Sequence, residues 1–156
     1  MTPEALITEF YAAFARQDYA GMAACYHDEV EFHDPVFGTL KGIQAKAMWQ
    51  MLLERSKGNL KIVFSDVKVT GSSGSAHWEA FYPFSKTGRK VHNIIDATFD
   101  FKDGKIIRHH DHFNLYRWSR QAFGVTGTLL GFTPFFQNKV RNTAQQSLKA
   151  YLLKYT

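Results

Sequence analysis

The sequence predicts an α+β fold: a curved antiparallel sheet rolls into a cone against N-terminal helices, and one extra helix follows at the C-terminal end. Three observations predict it. Apolar residues recur at helical spacing through the first third, four turn-bounded runs of strand length follow from Leu60, and the tail returns to a helical stripe. At 156 residues, with 45% apolar side chains, the chain has material for one well-filled core, so a single domain is expected over 1–156.

Thr2-Pro3-Glu4 reads as an N-cap, a first-turn proline and an early acid, so a helix starts there. Leu6, Ile7, Phe10 and Phe14 continue it to Arg16. Asp18 caps a second short helix whose Met22, Cys25 and Tyr26 share a side. A brief strand is expected over 30–33, closed by Asp34-Pro35. A third helix over 42–55 carries Ile43, Ala47, Met51 and Leu52 along one stripe. Strands are then expected over 60–70, 75–85, 90–101 and 105–116, joined by Gly71-Ser72-Ser73-Gly74, Lys86-Thr87-Gly88 and Lys102-Asp103-Gly104. Short loops between long strands make an antiparallel meander, and strands this long twist until the sheet curls. Residues 123–136, apolar with three glycines, read as an irregular greasy loop. Thr133-Pro134 opens a last helix with Val140, Ala144, Leu148, Tyr151 and Leu152 on one side.

Composition excludes several classes. Cys25 alone cannot make a disulfide scaffold, and a chain this apolar is not intrinsically disordered. No secretory leader or membrane span is legible, so a cytoplasmic protein is expected. The formal net charge is +5, with the excess in the second half: after Asp111 come Arg117, Arg120, Lys139, Arg141, Lys149 and Lys154 and no acid. Such sparse charges read as a solvated helix face, so no nucleic-acid partner is expected. Binding to an anionic membrane through 121–136 and the last helix is not favoured.

Two carboxylates stand among apolar neighbours. Asp34 lies between Phe32-His33 and Pro35-Val36-Phe37, and Asp96 interrupts Ile94-Ile95 and Ala97-Thr98-Phe99. A carboxyl in an apolar cavity holds its proton more tightly, which suits a general base or a neutral donor. Each has a plainer reading: Asp34 as an Asp-Pro turn capping its own backbone, Asp96 on a solvated strand face with His92 and Asp100. In His109-His110-Asp111-His112, strand alternation puts His109 and Asp111 on one side, a hydrogen-bonded pocket pair, and His110 and His112 on the other. A metal site would need a third ligand such as His33, Asp34 or His92, and the spacing matches no metal motif, so no metal and no cofactor are expected. Phosphate loops and the GxSxG elbow are absent. Phe10, Tyr11, Phe14, Tyr26, Phe32, Phe37, Trp49, Trp78, Tyr82 and Phe113 are the candidate walls of a small-molecule pocket.

The run Asp18…Tyr26-His27-Asp28-Glu29-Val30-Glu31-Phe32-His33-Asp34-Pro35, with Gly42 opening a helix and Ile95-Asp96…Phe101-Lys102-Asp103-Gly104-Lys105-Ile106, resembles the nuclear transport factor 2-like superfamily. The branch it resembles is that of ketosteroid isomerases and SnoaL-like proteins. The resemblance covers about 4–116 and leaves 117–156 as a C-terminal loop-and-helix extension over the cone mouth or a dimer interface. It implies three helices on a curved sheet, a homodimer, an Asp base at Asp34 and a protonated oxyanion-hole Asp at Asp96, the enzyme that is the standard example of such pKa tuning. The family's oxyanion-hole Tyr falls at Phe10, beside Tyr11, and a supporting Tyr near Gln50, while another is kept as Tyr26. Losing one such donor typically costs about 10²–10³ in rate, which argues against a steroid isomerase. His109 and Asp111 have no counterpart in that machinery and are read as a secondary relay. The expected function is binding of a compact, mostly apolar ligand, with proton abstraction beside a carbonyl in an isomerase, cyclase or hydrolase setting. A non-catalytic ligand-binding or assembly domain is the competing class, separated from the first by whether Asp34 and Asp96 share one cavity.

Overall fold

Helix α1 (Pro3–Ala15) starts where Thr2 Oγ1 accepts the Ala5 N–H at 3.1 Å, and it buries Leu6, Ile7, Phe10, Tyr11, Ala13 and Phe14 along one side. The computed structural model describes residues 1–155; Thr156, the end of the domain expected over 1–156, lies outside the described residues. Asp18 caps α2 (Tyr19–Cys25) by accepting the Gly21 N–H at 3.0 Å. The chain continues as β1 (Tyr26–Asp34), β2 (Gly38–Lys41), α3 (Ile43–Ser56), β3 (Lys61–Thr70), β4 (Ser73–Pro83), β5 (Lys90–Lys102) and β6 (Lys105–His112). It closes with α4 (Leu115–Phe123), α5 (Val125–Leu130) and α6 (Pro134–Tyr155). Gly42 enters α3 at φ +56°, a conformation that a side chain resists, and a Cβ there would meet the Asp28 carbonyl oxygen at 3.1 Å.

The sheet order is β2-β1-β6-β5-β4-β3. β3 to β6 form the antiparallel meander the turns predict. β1 then lies parallel to β6, with Phe32 opposite His109, and antiparallel to β2, with Asp34 opposite Gly38. Register shifts at Ser65/Lys68 and Asp100/Phe101 are bulges, and bulges add local twist, which helps the long strands curl. Along β5, Val91, Asn93, Ile95, Ala97 and Phe99 are buried while Ile94, Asp96 and Thr98 are exposed. The inner face meets α1, α3 and α6, and Leu148 and Tyr151 of α6 join the same core as Phe10, Phe32 and Ile95.

Four features differ from the sequence expectation. The strand expected over 30–33 runs the full length of β1, and the turn after Asp34 returns the chain as β2. Ile43, placed on the apolar stripe of α3, is exposed in its first turn. The last strand stops at His112 because Asn114 caps α4, its side chain accepting the Arg117 N–H at 3.0 Å. The stretch expected as an irregular loop holds the end of α4 and all of α5. Gly127 explains the last difference: a Cβ there would overlap the Ser119 carbonyl oxygen, so only glycine lets α5 fold back onto α4. Gly127→Ala is therefore expected to destabilise the protein by about 1–3 kcal/mol through backbone overpacking, read as a lower midpoint in urea unfolding.

Candidate functional site

The turn after β1 builds the first functional group. Asp34 Oδ1 accepts the N–H of Val36 at 2.9 Å and of Phe37 at 2.6 Å, so one oxygen is spent on the turn while the carboxyl group lines a cavity. From behind, α6 holds the same turn: Arg141 Nη2–H donates to the Pro35 carbonyl at 3.3 Å and Gln145 Nε2–H to the Phe37 carbonyl at 2.9 Å. The cavity is a chamber of about 540 Å³ between the inner sheet face, α3 and the α4–α6 extension. Burial pushes the Asp34 carboxyl up to about 7, and the nearby Asp111 charge adds to this, against the two backbone N–H bonds and Arg141. Protein atoms surround Asp34 on most sides; it keeps its partial exposure through the chamber it lines.

A second carboxylate, Asp111 on β6, lines the same chamber and is 2% exposed. Its Oδ1 accepts from Trp78 Nε1–H at 3.1 Å and pairs with His109 Nε2 at 2.9 Å. His109 Nδ1 lies 2.7 Å from the Tyr26 hydroxyl, which itself accepts from Trp49 Nε1–H at 2.8 Å. Indole N–H groups only donate, so the Tyr26 proton is left for His109 Nδ1, and the His109 proton sits on Nε2, facing Asp111. This one assignment satisfies every group in the chain from Trp49 to Trp78. Burial pushes the Tyr26 hydroxyl well above the ordinary phenol range, so it serves as a neutral donor.

Asp96 corrects the expectation of an oxyanion-hole acid. Its side chain is 78% exposed on the outer sheet face, 2.9 Å from His77 Nδ1, because strand alternation puts it opposite Ile95 and Ala97. His77 also pairs with Glu79, which reaches His92, so the solvated reading of this face is the one the structure shows. His110 lies outside as well, 2.9 Å from Glu31. Among the described residues no group of three or more His, Cys, Asp or Glu is arranged to hold a metal ion.

Of the aromatic candidates, Phe14, Phe37, Trp49, Trp78, Tyr82 and Phe113 line the chamber. Phe10, Tyr11, Tyr26 and Phe32 do not; they are core packed around His109, with Phe10 stacked on Tyr26 at 5.1 Å and Phe32 edge-on to His109 at 5.2 Å. Two groups of the wall are polar: Tyr82, a wall residue the sequence reading had picked out, and Asn93, which it missed. Tyr82 accepts from Trp118 Nε1–H at 2.8 Å, and its own proton has no acceptor among the described residues. Burial, with a contribution from the Asp34 charge, pushes its hydroxyl up to about 12. Asn93, 7% exposed on β5, has no side-chain hydrogen bond among the described residues. Its signal was available: it shares strand parity with the inward Val91 and Ile95. The greasy segment and α6 supply the rest of the wall through Phe123, Leu130, Phe136, Val140 and Ala144.

The model of the SnoaL-like domain matches residues 7–109. No curated protein matches the sequence. Solved structures share the fold. A candidate polyketide cyclase from Pseudomonas putida KT2440 superposes with a TM-score of 0.62 at 23% identity, covering 78% of this chain and 98% of its own. A candidate polyketide cyclase from Xanthomonas campestris pv. campestris gives 0.60 at 23% identity, over 76% and 94%. An epoxide hydrolase of the LEH-like type from Mycobacterium tuberculosis gives 0.59 at 16% identity, over 81% and 94%. These likenesses place the chain among nuclear transport factor 2-like folds, curved sheet and helices included, with α6 as an added C-terminal helix.

Proposed function

The chain belongs to the SnoaL-like domain family, and from that premise we propose that it transfers a proton beside the carbonyl of a compact apolar compound held in the chamber. One observation carries the reading: two carboxylates, Asp34 and Asp111, face a single apolar chamber, where burial pushes the Asp34 carboxyl up to about 7. A base with its pKa near the working pH is both populated and strong enough to act. In the proposed step the free oxygen of Asp34 takes the proton from the carbon next to the carbonyl. The C–H electron pair moves into the new C=C bond, and the C=O pair moves onto oxygen. Tyr82 O–H and the Asn93 amide donate to that oxygen, and Asp34 returns the proton to carbon. Asp111, oriented by His109 and Trp78, holds negative charge near Asp34 and keeps its proton affinity high. The known fold-mates, two candidate cyclases and a hydrolase, are compatible with acid–base work in such a chamber. The resemblance also leads us to propose a cytoplasmic homodimer, which sedimentation equilibrium would measure.

The test is solvent-deuterium incorporation next to the carbonyl of cyclohexanone, decalone and tetralone, followed by NMR. The enzyme-dependent rate is expected to rise with pH through about 7 and then level off, since only the Asp34 carboxylate can accept the proton. Exchange no faster than in buffer, with the ketones nevertheless bound, would leave a binding domain without catalysis.

A further inference from the structure

The chamber's walls and its rim carry different charge. Among the described residues the acids lining it are Asp34 and Asp111. The cations lining it are Arg55, Lys86 and Lys139, all three exposed and therefore at the opening. They come from three separate parts of the fold: the last turn of α3, the β4–β5 turn and the first turns of α6. None of the three has an ion pair or a side-chain hydrogen bond among the described residues, whereas Arg16, Lys46 and Arg108 are all spent on nearby acids. The rest of the lining is mostly apolar, including Phe37, Trp49, Ile95 and Phe136.

From this arrangement we infer that the chamber takes amphipathic organic anions, a compact apolar body bearing a carboxylate, sulfonate or phosphate, with the anionic group held at Arg55, Lys86 and Lys139. The inference deepens the proposed function and rests on its chamber being a small-molecule site. Its physical basis is a gradient. An anionic group entering first would run into Asp34 and Asp111, while the same group left at the opening meets cations from three parts of the fold. A partly enclosed mouth with low-dielectric walls strengthens that attraction over what an open surface gives. The ligand is thereby turned so that its uncharged end reaches the carboxylates. A neutral ligand of the same shape would have no such preference for one orientation.

The experiment compares two probes that share an arylamine body and differ in one charge: anilinonaphthalene sulfonate and neutral phenylnaphthylamine. Binding is read by tryptophan emission, since all three tryptophans line the chamber. In the triple variant Arg55→Gln, Lys86→Gln, Lys139→Gln, the Kd of the sulfonate is expected to rise about tenfold, the sum of three partly exposed charge contacts. The Kd of the neutral amine stays within about twofold, which checks that the chamber is intact. Wild-type protein in about 1 M salt, where the screening length is about 3 Å, should show the same selective loss. If the sulfonate loses no more affinity than the neutral amine, the inference is overturned while the chamber stands. If neither probe alters tryptophan emission, the chamber is not a binding site, and both this inference and the reading beneath it fall.

Discussion

Asp34→Asn lowers proton-exchange activity by about 10²–10⁴-fold, the usual contribution of a positioned general base, and at the same time makes the protein more stable at about pH 8. The two effects share one cause. Burial pushes the Asp34 carboxyl from a usual 3.8 up to about 7, so its contribution to stability is complete below about pH 4 and is lost as pH rises through 7. Holding the carboxylate ionised at about pH 8 then costs up to about 4 kcal/mol. An Asn oxygen keeps the two acceptances from Val36 and Phe37 N–H but loses their charge assistance, leaving a net gain of about 1–3 kcal/mol. The gain must vanish by about pH 3, where wild-type Asp34 is neutral as well. Thermal melts of both proteins across this range check it. A variant that melts below wild type at about pH 8, or that keeps wild-type exchange, removes Asp34 from the role given to it.

His109→Ala is expected to destabilise the protein by about 3–5 kcal/mol, the range for truncating a large, fully buried ring, with Asp111 left short of a donor. The ring is fully buried among Phe10, Phe32, Trp49 and Phe99, so its loss also opens a void that rigid aromatics close poorly. Asp111 keeps only the Trp78 N–H on Oδ1, and the Tyr26 proton loses its acceptor. Tyr26→Phe tests the same chain from its other end. It strands His109 Nδ1 and Trp49 Nε1–H and should cost about 1–3 kcal/mol. Because the groups form one network, the double variant should fall short of the sum of the two single losses. Urea unfolding of the three variants measures this, and additive losses would mean that the groups act separately.

The parts of the fold governed by local rules were legible. The Thr2-Pro3 start, the Asp18 cap and the glycine turns each depend on a few neighbouring residues, and each lies where the residues put it. Strand parity also sufficed to separate His109 and Asp111 from His110. It would have placed Asp96 outside too, since Ile95 and Ala97 claim the inner face; the resemblance to the isomerase drew that residue inward, and the physics of the pleat overrode it. What could not be read depends on contacts distant in the chain. The Tyr26–His109 hydrogen bond spans 83 positions, and the hold of Arg141 on the Asp34 turn spans 106. Nothing in the residues around Gly127 announces that it must admit the Ser119 backbone; that becomes visible only when α5 is laid against α4.

The parallel pairing of β1 with β6 has a consequence for the order of events during synthesis. A nascent chain that has left the ribosome only as far as β5 carries β1 with a single neighbour, β2, while the far edge of the meander is already complete. The strand bearing Asp34 must wait for some seventy further residues before its main chain is satisfied on both sides. Until then the open edge can pair with the wrong chain, so crowding and slow elongation between these strands favour aggregation of the growing protein over its maturation.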